Sequence, residues 1–199
     1  MKTLLLFLLL IPLNLLAKIT PVSLLPYKLD TQHASINFGI KHMMLSTVKG
    51  TFTKWDGDFM FDKSSGGLEN IKFTIDPASV NTNDPKRDEH LRGADFFYVE
   101  KFPKIEFVSK KVTIKNKKPV SMIGDLMMLG ITKPVTVKID YLGSTTSLYG
   151  TEIVVFKGSA KITRKDFGMS WNKTLDKGGF AVGEEVEITF DFEALPTNK

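Results

Sequence analysis

Apolar and polar residues alternate along much of this chain. Ile36, Phe38 and Ile40 alternate with Asn37, Gly39 and Lys41, the period of a strand with one apolar and one polar face. Val48, Gly50 and Phe52 repeat the pattern, with Thr47, Lys49, Thr51 and Thr53 on the other side. Two such strands in succession predict a sheet curling around an apolar interior. Whether that interior holds only the protein's own side chains or also a guest is left open by the alternation.

The rest of the chain extends the pattern. Tyr27 and Leu29 begin a first strand. Phe59 and Phe61 continue the third past Asp56-Gly57, up to a turn at Asp62 to Gly67. Ile71, Phe73 and Ile75 follow, stopped by Asp76-Pro77. Ile105 and Phe107 alternate in one phase and Val112 and Ile114 in the other, which predicts a bulge near Ser109-Lys110. Val120 to Ile131 is Met-rich, Val135 to Tyr141 alternates, and Ile153 to Ile162 and Val186 to Phe192 supply the last strands. The break is at residues 81–98, where Asp84 before Pro85 reads as an N-cap with proline at the first helical position. Asp88, Glu89 and Arg92 suit the helix dipole and Gly93 suits a stop, so one short helix over 85–92 is expected. Turn signals about every ten residues indicate an all-β domain. Glycines at 39, 50, 57, 124, 130, 158 and 168 lie in or beside strands. They mark bends or close approaches to the backbone, and favour a curved, closed sheet over a flat sandwich.

Composition narrows the class. The 199 residues include 15 Phe, 8 Met and no Cys, enough for one well-cored domain. Lys2 followed by the apolar run Leu4–Leu16 and Ala17 reads as a secretory signal peptide over 1–17. The run is shorter than the ~20 residues of a membrane span. The mature domain is then 18–199, with residues 18–26 as an extended lead and a periplasmic destination expected. Loss of Lys2 lowers the formal net charge from +5 to +4. The densest basic run, Lys115, Lys117 and Lys118, reads as a solubilising hairpin tip rather than a nucleic-acid patch.

Catalytic signatures are missing: no phosphate-cradling glycine loop, dinucleotide fingerprint, HExxH or GxSxG occurs. Without cysteine there is no thiol chemistry or thiolate metal site. His33, His42 and His90 would form a metal site only if the helix folded over strand ends, and neither a metal nor a cofactor is expected. His42 reads as a strand-end residue or as a donor to a ligand headgroup. His33 and Ser35 share a strand face with no evident acid partner, so no catalytic residue is assigned.

Met43, Met44, Met122, Met127, Met128 and Met169, with Phe96, Phe97, Phe107, Phe167 and Trp171, offer adaptable apolar surface, either core filling or a cavity wall. Arg87, Arg92, Asp88 and Asp95 of the helical segment belong to a solvated face or to a rim that meets a headgroup.

Four segments carry a family resemblance. LDTQHASINFGIKHMMLSTVKGTFTKWDGDF resembles the opening signature of the YceI-like proteins; HLRGADFFYVEKFPKIEF, GITKPVTV and ITRKDFGMSW resemble later ones. Asp62 to Gly67 and the region of Tyr98 are less typical. The resemblance implies an eight-stranded antiparallel lipocalin-like barrel with a short helical insertion, exported to the periplasm. It further implies a long-chain amphiphile in the barrel: a polyisoprenoid, an isoprenoid quinone or a fatty-acid derivative. Some members are linked to stress responses. By analogy, Phe38, Ile40, Phe52 and Phe107 contact the tail and His42 and Arg92 the polar end. Met44, Phe97, Met127, Phe167, Met169 and Trp171 complete the expected ligand-binding set. A non-enzymatic carrier or scavenger of an isoprenoid or acyl lipid is the leading expectation. An enzyme acting on such a lipid and a ligand-free structural module are the alternatives. A homodimer along an exposed strand is compatible with this pattern, though no residue establishes it.

Overall fold

The computed structural model describes residues 23–176 and 178–197; the expected signal peptide lies outside them. Eleven strands occur among the described residues, in one sheet that closes on itself. β1 (Leu25–Leu29) and β2 (Ser35–His42) are two halves of one bent strand, as are β3 (Ser46–Phe52) and β4 (Trp55–Asp62). Six more follow: β5 (Gly67–Ile75), β7 (Ile105–Lys115), β8 (Lys118–Met128), β9 (Ile131–Thr146), β10 (Glu152–Thr163) and β11 (Val182–Pro196). The short β6 (Val80–Asn81) pairs only with the end of β3.

Closure runs through β11. Its first part pairs with β2, from Val182↔His42 to Asp191↔Ser35, and its last part with β1, from Leu29↔Ala194 to Tyr27↔Pro196. Counting each bent strand once, the ring has eight antiparallel members. Closing the sheet removes its free edges and leaves an interior that side chains fill or share with one small ligand.

Local chemistry sets the corners. Asn116 and Lys117 both have positive φ (50° and 60°), making the β7–β8 link a two-residue turn whose twist suits a hairpin. The basic run does sit at a hairpin tip. The expected bulge appears as a register shift between Ser109 and Lys111, and the Ile71 N–H donates to Ser109 Oγ at 3.1 Å. In the β4–β5 turn, buried Asp62 accepts from Ser64 N, Ser64 Oγ and Ser65 Oγ at 2.7–2.9 Å. These donors, the Ser64 hydroxyl foremost, hold its carboxyl down at about 2.

Four of the glycines mark close approaches by a phenylalanine of the adjoining strand. A Cβ at Gly158 would lie 2.0 Å from Phe190 Cζ, and one at Gly50 2.4 Å from Phe38 Cζ. Gly57 and Gly124 make the same room for Phe73 and Phe107. Gly168 instead takes a left-handed φ of 86° at the end of a 3-10 turn over Arg164–Phe167.

Helix α1 (Pro85–Arg92) has the expected bounds. The Asp84 side chain accepts from Lys86 N and Arg87 N, and Pro85 opens the first turn. Gly93 ends it at an ordinary φ of −74°, so its stop needs no left-handed residue. The whole segment 76–104 leaves and rejoins the barrel at one place, because Ile75 and Ile105 are register partners. It therefore crosses one end of the barrel.

Candidate functional site: a cavity under the helical segment

Beneath that segment lies a cavity of about 470 Å³, within the size range of small-molecule sites. Its walls follow from strand alternation. β2 contributes Ile36, Phe38, Ile40 and His42, β3 contributes Val48 and Phe52, and β11 contributes Val182, Val186 and Ile188. Leu126, Met128, Ile75, Ile105 and Ile162 add to the barrel lining. The lid is α1 with its following turn: Lys86, Arg87, His90 and Leu91 lie one helical turn apart on one face, joined by Phe96 and Phe97.

Aromatic contacts fasten the lid. Phe97 meets Phe52 edge-on at 5.5 Å between centroids. The His90 ring stands perpendicular to both Phe96 and Trp171 at 5.0 Å, with its Nε2 2.8 Å from Asp95 Oδ2. Arg87 donates from Nε and Nη2 to Thr82 Oγ1 and O, at 2.7 and 2.9 Å. Buried Asp88 accepts from Thr82 N and Oγ1, which ties the start of the helix to the strand before it.

Arg164 is the outlier. It is 2% exposed, lines the cavity, and donates from Nε to Gly183 O and from Nη1 to Met169 O at 2.8 and 2.7 Å. Its Nη2 is the one buried side-chain nitrogen among the described residues with no hydrogen-bond partner. Burial pulls the guanidinium below its ordinary range, while the charge of Glu184 acts in the other direction.

Seven of the expected ligand residues line this one cavity: Phe38, Ile40, His42, Phe52, Phe97, Met169 and Trp171. Five lie outside its lining. Met44 is 66% exposed in the β2–β3 turn with φ of 63°. Met127 points outward between the buried Leu126 and Met128, as strand alternation requires. Phe107 sits below the floor over Gly124, packed with Phe73 at 6.4 Å. Phe167 lines a separate cleft where β9 and β10 part beyond Val137↔Ala160. Arg92 follows Leu91 by one residue, about 100° around the helix, and so leaves the face that lines the cavity. Two methionines of the expected cluster, Met128 and Met169, reach the cavity; branched aliphatic and aromatic side chains make most of its wall.

Lys41, Lys86 and Arg164 were not singled out in the sequence. For Arg164 a signal existed: one residue past the end of β10 it keeps the inward phase of Ala160 and Ile162, and an arginine in that phase needs a partner. The histidines separate. His42 and His90 line the cavity, whereas His33 sits at the β1–β2 bend with Nδ1 2.8 Å from Asp30 Oδ2. That carboxylate raises the imidazole pKa. Ser35 Oγ accepts from Asn37 Nδ2 at 3.0 Å and makes no hydrogen bond to His33 among the described residues. Asp30, His33 and Glu193 are the one trio there whose ligand atoms lie within 4.8 Å of one another, a polar cluster outside the cavity lining.

The family model for the YceI-like domain matches residues 27–194. The chain belongs to the YceI-like family. It is 37% identical over 171 residues to Protein YceI of Salmonella newport, covering 85% of this chain and 86% of that one. The crystal structure of a Campylobacter jejuni YceI protein superposes with a TM-score of 0.68 at 31% identity, over 79% of this chain and 90% of that chain. A polyisoprenoid-binding domain from Saccharophagus degradans shares the fold at 15% identity and a TM-score of 0.58, over 86% of this chain and 99% of that domain.

Proposed function

We propose that this YceI-like protein binds a long-chain amphiphile, isoprenoid or acyl, and carries or scavenges it without chemical conversion. The carrying observation is the apolar cavity of about 470 Å³, roofed by α1 and its aromatic fasteners. The tail lies among Ile36, Phe38, Ile40, Leu126, Val186 and Ile188, and the polar end faces the basic residues of the lining, Lys41, Lys86, Arg87 and Arg164. The S. degradans domain of like fold, named for polyisoprenoid binding, supports a tail of this class. The leader-like residues 1–17 support a periplasmic setting.

Magnitudes favour a long tail. Each buried methylene contributes ~0.8 kcal/mol, and association costs on the order of 4–15 kcal/mol. About ten carbons fall within that cost; about twenty reach its upper end. The non-enzymatic reading draws on the position of His33 and Ser35, which line no part of the cavity and do not bond each other.

Organic extraction of the purified protein, followed by mass spectrometry, tests the reading. A co-purifying long-chain lipid, or uptake of added polyprenyl or acyl lipid by the extracted protein, is expected. Failure of both overturns it.

A further inference from the structure

The ionisable residues lining the cavity are Lys41, His42, Lys86, Arg87, His90 and Arg164, and neither Asp nor Glu lines it among the described residues. Two of the six have acidic partners outside the lining: Asp84 lies 3.7 Å from Arg87 and Asp95 lies 2.8 Å from His90. Glu184, the acid nearest Arg164 in effect, is already paired with Lys165. Lys41, Lys86 and Arg164 make no ion pair among the described residues. An apolar cavity with cations and no acid is matched to an amphiphile that carries negative charge.

Arg164 makes the match specific. Two backbone carbonyls, Gly183 O and Met169 O, already hold its guanidinium in place, so its orientation is set before any ligand arrives. The remaining donor, Nη2, is buried and unpaired. A buried charged donor without an acceptor bears its desolvation cost uncompensated, and that cost is recovered when a ligand oxygen accepts from it.

We propose that the ligand's polar end is an anionic oxygen group, a carboxylate or a phosphate ester, and that Arg164 Nη2 donates to it. The proposal rests on the carrier reading and narrows it: a neutral headgroup leaves the buried Arg164 guanidinium without a counter-charge. A charge-assisted hydrogen bond contributes about 1.5–3 kcal/mol, which corresponds to about ten- to a hundredfold in affinity.

The test uses delipidated mature protein titrated with hexadecanoate, hexadecyl phosphate and hexadecanol, read by calorimetry and by the fluorescence of Trp171 in the lining. At least one of the anions should bind about ten- to a hundredfold tighter than the alcohol. Arg164→Gln should erase that gap by bringing the affinity for the anions down toward that for the alcohol. Equal affinity for alcohol and anions overturns the headgroup assignment while the carrier reading stands; no binding of any of the three overturns both. A gap that survives in Arg164→Gln removes Arg164 from the role. Inorganic phosphate should not compete with hexadecyl phosphate at equal concentration, and competition would show an anion site independent of the lipid. If Arg164→Gln does not fold, the wild-type comparison of acid with alcohol still decides the charge of the headgroup.

Discussion

The two ends of this barrel are built on the same alternation and end differently. β11 runs through both. Toward the helical lid its inward residues are Val182, Val186 and Ile188, which line the cavity; beyond them come Phe190 and Phe192, which fill the barrel. Phe190 stacks on Phe192 at 4.6 Å, and Phe192 on Phe73 at 5.1 Å. Farther on, Tyr27, Phe59, Phe61, Tyr141 and Phe156 form a cluster with centroids 4.9–6.1 Å apart. The gap left among the rings there is about 30 Å³. Closing eight strands sets the bore of the barrel, and side-chain volume then decides whether it is a core or a container.

Polar groups follow the same division. At the filled end they are partnered: Tyr27 donates to Glu152 Oε1 at 3.3 Å, and burial with that carboxylate pushes the phenol up to about 12. Asp62 has three donors in its own turn. At the hollow end Arg164 keeps an unpaired donor. Structural polar groups are satisfied by the fold itself, whereas a binding group is left for its ligand to satisfy.

The division can be broken at several points. Phe61→Ala, at 1% exposure in the filled end, should cost ~3–5 kcal/mol in chemical denaturation. Ile188→Ala, on the cavity wall, should cost less than Phe61→Ala and weaken lipid binding instead. Equal stability losses would show that the hollow end is a packed core. Gly158→Ala places a methyl 2.0 Å from Phe190 Cζ and 2.5 Å from Lys138 O. It should lose ~1–3 kcal/mol while the remaining folded protein binds lipid unchanged.

Ile188→Phe extends the aromatic filling by one inward position. It should change stability by less than ~1.5 kcal/mol and favour shorter tails in a chain-length series. A larger destabilisation would mean that no room exists there. A pH-dependent effect is expected at Asp62. Its carboxyl is held below the usual ~4 at about 2, so it favours the fold above that range and the contribution fades as pH falls through it. Wild type should lose more stability than Asp62→Asn between about pH 4 and pH 2 in acid titrations, and matching curves would remove Asp62 from that role.

Much of the fold was legible because its signals are local. Period-two alternation named the strands, Asp84-Pro85 opened α1 at its observed residue, and the phase change after Phe107 located the bulge. The site was legible where alternation carries it, since Phe38, Ile40 and His42 share a face of β2 and reach the cavity together. It was legible in part from residue type and motif, through Phe97, Met169 and Trp171. Residue type without phase misled. Met127 and Met44 are as adaptable as Met169, yet one faces outward and the other lies in an exposed turn. On α1 the lining face is Lys86, Arg87, His90 and Leu91, a spacing present in the sequence, whereas Arg92 stands one residue off it.

By itself, the sequence determined the strands, helix α1, the turns and the family motifs, because each depends on residues close along the chain. Only the tertiary structure decided which inward residues meet across the barrel to fill it and which leave it hollow. It also decided that Arg164 would be buried with one donor unpaired. Both outcomes depend on summing volumes and hydrogen bonds over strands far apart in sequence, and no local pattern contains that sum.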